Sequence, residues 1–447
     1  MPMEDRFTYI IENFRIFYPY NELKIAYGED GDSPLCIKNS VPDSFFRKKE
    51  NIDEQKVVWK TWKDVQIPFL FERSGEPDII TQKENQVYIN YDIIASAFYF
   101  LSGWDEYLNS GKDELGRIAF KDTLIHRLGI AGIPVVNYYF DILATAIKKL
   151  KDIKHLPIWG EGEFGVALTH DIDTCQSAWL EGSFSELKKL RILSIPRLLI
   201  QRMIGRDAWF NFNTITDTEA EYQAKSTFFF LPRKGKVENG SNADYRISSK
   251  SIRQKIKELE SQGNEIGVHG SFGTHTDSKA LEADIRNIPV EPIRANRFHF
   301  LMYDPLKTVS VLEKNQIRYD TSLGFAEQPG FRRGTCYPFY LFNFEEKRIS
   351  KLVELPLIVM DTSLQHRKYM GLSPNESLPV IFNLIDEIRK FNGLFTMLWH
   401  NTYFSKYKYD GWKDVFTKIL DYCRANQAFM GSGIDAYNRI FSDFEKG

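Results

Sequence analysis

The sequence predicts an α/β protein whose larger part is a parallel sheet covered by helices. Three observations carry that prediction. Beyond residue 160, short apolar runs alternate with amphipathic stretches of helical period. The runs are apolar throughout, as strands buried on both faces are. Their number, about seven or eight βα units, fits a closed barrel better than an open sheet.

Residues 1–160 read as a first unit, an α/β companion domain. Strand-like runs (KVVWKTW, IPFLFE, QVYINY) precede helix-like ones (DIIASAFYFLSGWDEYL, PVVNYYFDILATAIKKLKDI). Nothing in this unit gathers ligands or nucleophiles. The stretch HLPIWGEGEFG, with Pro157 and three glycines, marks its end. The second unit, residues 161–447, carries the strands GVALTH, KSTFFFL, NEIGVH, ANRFHFL, QIRYDTSL, LVELPLIV, LFTMLWH and QAFMGSG. Helical patterns such as SSKSIRQKIKELESQG and ESLPVIFNLIDEIRKFNG lie between them and end near glycine.

Composition excludes several function classes. The 447 residues carry a net charge of −2, which gives no global pull toward nucleic acid. The four cysteines form no CxxC pair, so a thiolate zinc site is not expected. No apolar run is long enough to span a bilayer, and the N-terminal residues lack the apolar segment of a secretory signal. A cytoplasmic protein is expected. The high aromatic content, 14%, suits large cores or carbohydrate-facing surfaces.

Polar residues fall at the strand ends. His170, Asp171 and Asp173 end GVALTH, His269 ends NEIGVH, Arg297 and His299 lie at the end of ANRFHFL, and His400 ends LFTMLWH. Strand C-termini of a parallel barrel share one face, so these groups should converge there. Taken singly, each has a plainer role as a turn former, a core histidine or an ion pair. Five of the eight histidines (170, 269, 275, 299 and 400) gathering at such positions favours a site. Carboxylates and imidazoles together support metal-assisted hydrolysis, with a second carboxylate as base and a histidine as acid.

In order along the chain, THDID, EIGVHGSFGTH, RFHF, DTSLGF…GFRRGT and LFTMLWH resemble the polysaccharide deacetylases of carbohydrate esterase family 4, the NodB-homology domain. The closer likeness is to a branch with a THD[IV]D first motif and an N-terminal companion domain, echoed here by ASAFYFLSGWDEYLNSGKDELGRIAF. The resemblance implies a distorted (β/α)7 barrel and one divalent metal, usually zinc. It also implies hydrolysis of an N- or O-linked acetyl group on a sugar. By position, Asp171 would be the general base, Asp173 and His269 metal ligands, His400 the general acid and Arg297 the residue that holds the base. The family's second histidine would fall on Gly273, which has no side chain to offer. His275, two residues on, is the expected replacement if the loop bulges.

Three further features are read from the residues. Arg332 and Arg333 follow Asp320 in a glycine-punctuated loop, where they either grip a substrate anion or staple the loop. With His170 and His299 they complete the expected substrate-binding set. Asp361 follows a strand and is expected to cap a helix. Residues 185–206, within an insertion at about 183–210, carry six Lys/Arg against one Glu. They should form a helix pair broken at Pro196 that buries an apolar stripe on the barrel, or else lie on an anionic membrane surface. The leading function is therefore a metal-dependent carbohydrate deacetylase. The alternatives are a glycan-binding protein on a degenerate barrel, favoured by Gly273, and a hydrolase of another C–N bond.

Overall fold

The computed structural model describes residues 2–28, 32–42, 44–72, 78–109, 111–203, 207–238 and 240–442. Its centre is a ten-stranded sheet. Numbered in chain order, the strands are β1 (Phe164–Ile172), β2 (Thr227–Phe230), β3 (Glu265–Gly270), β4 (Ala295–Phe298), β5 (Tyr319–Asp320), β6 (Phe339–Asn343), β7 (Arg348–Glu354), β8 (Leu357–Met360), β9 (Leu394–Leu398) and β10 (Ala428–Gly431).

The sheet order is β6-β7-β5-β4-β3-β2-β1-β9-β8. The long β1 takes β10 against its first half and β2 against its second, on the side away from β9. Every pairing is parallel except the β6–β7 hairpin. The sheet curls into a half-barrel, and its two ends, β6 and β8, do not pair with each other. The expected closed barrel is thus an open one. LVELPLIV, expected as one strand, is two, because the chain turns at Leu355 and Pro356 from β7 at one end of the ladder to β8 at the other.

The first 160 residues form a four-stranded sheet, a ribbon of Val58–Trp62 with Val65–Phe69, and helices that include Met3–Phe17, Ile93–Ser102 and Val135–Lys148. Residues on both sides of position 160 share one core. Tyr9 and Phe98 meet Phe342 edge-on, and Phe17 stacks on Tyr337 at 3.8 Å. The four cysteines are buried free thiols.

The insertion after β1 forms two short helices, Ala178–Lys188 and Ile195–Met203. The first helix reverses the expectation of an inward apolar stripe, whereas the second buries Leu198. Ala178, Gly182 and Glu186 face inward at helical spacing, whereas Leu180, Phe184 and Leu187 face out. The end of the expected basic segment, with Arg206, lies outside the described residues.

Candidate active site

Strand alternation decides what β1 presents. Successive side chains point to opposite faces, so Asp171 and His170 cannot share a site. Asp171 faces the concave side. His170 faces the helices, fully buried, with Nδ1 2.6 Å from the Trp399 carbonyl and Nε2 2.8 Å from Glu219. The expectation that His170 binds substrate therefore gives way to a structural role under the helix Phe212–Ala220.

On the concave side β3 and β4 run in register, which places His269 beside Arg297. The fully buried Arg297 donates from Nη1 to Asp171 Oδ1 at 2.9 Å, from Nε to the Thr321 carbonyl at 3.0 Å and from Nη2 to Thr321 Oγ1 at 3.1 Å. The ring of Phe229 lies 4.7 Å beneath its guanidinium. Asp171 is thus held by one oxygen, and its Oδ2 turns toward His269 Nε2 at 3.6 Å.

Asp173 Oδ1, His269 Nε2 and His299 Nδ1 converge. The nitrogens are 3.1 Å apart, and Asp173 Oδ1 is 3.3 Å from His269 and 3.7 Å from His299. The outer nitrogen of each ring is already committed: His269 Nδ1 donates to the Arg297 carbonyl at 2.8 Å and His299 Nε2 to the Ser241 carbonyl at 2.9 Å. When both rings are neutral those bonds fix the tautomers and leave two imidazole lone pairs facing each other. Burial would lower the His269 pKa, but Asp171 and Asp173 raise it. Asp173 Oδ1 is buried without a hydrogen-bond donor. A divalent cation would satisfy all three atoms, which lie within 4.8 Å of one another, and this N2O donor set fits such an ion.

The third donor comes from β4 and not from the loop after β3. Gly273 is left-handed (φ 86°), and the chain runs from it into the single turn Thr274–Thr276. His275 there lies against Phe298 with Nδ1 unpaired, and it belongs neither to the converging cluster nor to the cavity wall. Burial pulls its pKa down to about 4. The expectation of a His275 ligand is thus replaced by His299, which had been read as a substrate contact. What brings His299 inward is a turn in which Phe300 (φ 60°) and Leu301 (φ 55°) are both left-handed, at a cost of about 1–2 kcal/mol per residue. The Phe300 ring lies against the His299 ring, tilted by 35° with centroids 3.8 Å apart. Its carbonyl accepts from Arg117 Nη1 at 3.1 Å, and Arg117 is itself clamped by Asp113 at 2.7 Å. A residue from the first 160 thus steadies this turn.

His400 follows β9. Its Nδ1 donates to Asp361 Oδ1 at 2.7 Å, and its backbone N–H donates to Asp361 Oδ2 at 2.5 Å. Asp361, expected to cap a helix, instead orients this imidazole. His400 Nε2 points into the cavity, 3.6 Å from Asp173 Oδ2. Burial alone would lower the His400 pKa, but the charge and hydrogen bond of Asp361, then Asp173 and Asp171, lift it to about 10. Burial also opposes the charge on Asp173, yet His299, His269 and His400 hold its carboxyl well below the usual range.

A cavity of about 170 Å³ joins these groups. Asp171, Asp173, His269, His299 and His400 line one side. Leu301, Ala326, Met360 and Leu398, a small apolar cluster apart from the main core, line the other with Arg117 and Tyr369. Arg332 and Arg333 are not part of it. Both are buried on Glu106: Arg332 Nη2 and Nε lie 2.9 and 3.0 Å from its two oxygens, and Arg333 Nη2 lies at 3.2 Å. They staple the β5–β6 loop to the first 160 residues and touch no open space.

Neither Asp361 nor Arg117 was predicted to belong to this site. The sequence signal for Asp361 was its place just after a strand; Arg117 carried none, since Phe300, which ties it to the site, is far along the chain.

Comparison with known proteins adds the following. A family of unknown function, DUF7033, matches residues 4–152. No curated protein matches this chain in sequence. Among solved structures, the chain is similar to a Mycobacterium smegmatis protein provisionally named a polysaccharide deacetylase (14% identity, 65% of this chain and 93% of that one, TM-score 0.43). It is also similar to Puue allantoinase (10% identity, 66% and 96%, TM-score 0.40). A third is a Pseudomonas aeruginosa PAO1 protein, also provisionally named a polysaccharide deacetylase (9% identity, 64% and 93%, TM-score 0.43).

Proposed function

We propose that the chain is a metal-dependent hydrolase that removes an N- or O-linked acetyl group from a sugar or polysaccharide precursor. One observation carries the reading. Three ligand atoms, Asp173 Oδ1, His269 Nε2 and His299 Nδ1, converge within 4.8 Å of one another, flanked by Asp171 on Arg297 and His400 on Asp361. Asp173, His269 and His299 would hold one divalent ion of the zinc kind, which when bound polarises an acyl carbonyl and acidifies water.

The chain's own residues divide the proton work. Asp171, pinned through Oδ1, keeps Oδ2 free to take the proton of the attacking water. Arg297 holds that carboxylate in place and has no free edge for substrate. His400, with Nδ1 committed to Asp361, presents Nε2 to the leaving nitrogen or oxygen and supplies its proton. Water loses one proton and the leaving group gains one, so the products are a free amine or hydroxyl and acetic acid, which ionises to acetate in solution. The apolar wall of Leu301, Ala326, Met360 and Leu398 suits the acetyl methyl. A space of about 170 Å³ admits an acyl group and leaves the rest of the sugar at the mouth. The glycan-binder alternative leaned on the missing donor at Gly273, and His299 supplies a donor in its place.

The test is acetate release from N-acetylglucosamine oligomers and O-acetylated sugars by zinc- or cobalt-loaded protein. The reading expects release that stops in Asp171→Asn. Tight sugar binding by loaded protein with no acetate from any substrate would overturn it in favour of the binder.

A further inference from the structure

We infer that the helix pair Ala178–Lys188 and Ile195–Met203 is a docking surface for an anionic lipid bilayer. Apart from Leu198, which packs inward, the large apolar side chains of the first helix and the linker face outward, with Leu199 and Ile200 of the second. Leu180, Phe184 and Leu187 form an exposed stripe at spacings of four and three, while the inward positions are the small or polar Ala178, Gly182 and Glu186. The linker extends the stripe: Leu190 is 83% exposed and Leu193 95%. Most of the exposed large apolar side chains described in this protein lie in this one segment. A soluble surface does not gather them without an occupant.

Charge identifies the occupant. Lys188, Lys189, Arg191 and Arg197 are exposed among these apolar groups. Among the described residues, Arg191 is the one of these four that reaches a carboxylate, Asp410 at 3.7 Å; of the two acids in the helices, Glu186 is buried and the exposed Glu181 is paired with Lys408. Lysine is depleted at protein–protein interfaces. Lysine and arginine beside leucine and phenylalanine are what an interfacial helix presents to anionic headgroups. The helices have 11 and 9 residues, too short to cross, and no described helix is long and apolar enough to span a membrane. The pair therefore lies in the headgroup plane. It is rooted between β1, which leads to Asp173, and the segment after His400, where Lys408 pairs with Glu181 at 2.7 Å. Docking would bring the mouth of the cavity to the lipid surface.

The experiment is flotation of the full chain with vesicles of phosphatidylcholine alone and of equal parts phosphatidylcholine and phosphatidylglycerol. Binding to the mixed vesicles, weakened by salt, is expected. Lys188→Glu/Lys189→Glu should lower partitioning by about tenfold or more. Leu190→Asp/Leu193→Asp should abolish it, with unchanged thermal unfolding because both side chains are exposed. Lack of flotation with either vesicle would overturn the inference, as would equal binding to both. So would a dimer by light scattering that the leucine variants dissolve while vesicles are ignored, since the occupant is then a second copy. None of these readouts depends on catalysis.

Discussion

Two buried arginine–carboxylate clusters lie in this molecule, and they differ in what they leave unsatisfied. In the first, Glu106 spends both oxygens on Arg332 and a second bond on Arg333, and Arg332 Nη1 finishes on the Gly324 carbonyl. In the second, Arg297 takes one oxygen of Asp171 and leaves the other facing a cavity that also holds the converging atoms of Asp173, His269 and His299. The first satisfies both carboxylate oxygens of Glu106, leaves Arg333 Nε unpaired without open space beside it, and joins segments far apart in the chain. The second is open on one side. Buried charge alone does not mark a site; buried charge with an incomplete donor set beside open space does.

Mutation should separate the two. The largest effect is expected at the open cluster: Asp171→Asn should cut acetate release by about 10²–10⁴-fold, with metal stoichiometry retained. Next, Glu106→Ala strands two buried guanidiniums and should cost about 3–5 kcal/mol of stability, read by denaturant or thermal unfolding. Folded Glu106→Ala protein should still bind one metal ion. Equal loss of metal binding in both variants would erase the distinction. Asp361→Asn, which loosens the orientation of His400, should lower activity by roughly 10–100-fold without altering metal affinity.

The smallest effect concerns pH. Burial would raise the Glu106 pKa, but Arg332 and then Arg333 hold it below the usual range. A depressed carboxyl stabilises the fold above its unfolded value, near 4.3, and that contribution is lost as pH falls through the native value. The stability gap between wild type and Glu106→Gln should therefore narrow on acidification. A gap independent of pH would mean that the pair contributes through packing alone.

Much of this arrangement could be read from the chain. GVALTH, NEIGVH and LFTMLWH are strands, and Asp171, Asp173, His269, Arg297 and His400 do meet at their ends. That convergence follows from parallel strands sharing a direction. The misplacements have physical reasons. His170 was assigned to the site although period-two alternation already puts it opposite Asp171. His275 was preferred to His299 because spacing cannot reveal that two non-glycine residues, Phe300 and Leu301, adopt left-handed backbone and turn the ring of His299 inward. Asp361 was read as a cap because its partner, His400, becomes a neighbour only when β8 pairs with β9. Arg332, Arg333 and Arg117 each depend on groups more than a hundred residues away. The β6–β7 hairpin was missed because the apolar run FYLFN of β6 was not read as a strand and the end of β7 was joined to β8 as one run, LVELPLIV.

The central claim is that Asp173, His269 and His299 make one cation site. Calorimetric titration of metal-free protein with zinc tests it most directly, on wild type, His299→Ala and His275→Ala. One ion per chain should bind to wild type and to His275→Ala with the same affinity, and His299→Ala should lose it. Retention of zinc by His299→Ala together with its loss in His275→Ala would contradict the account.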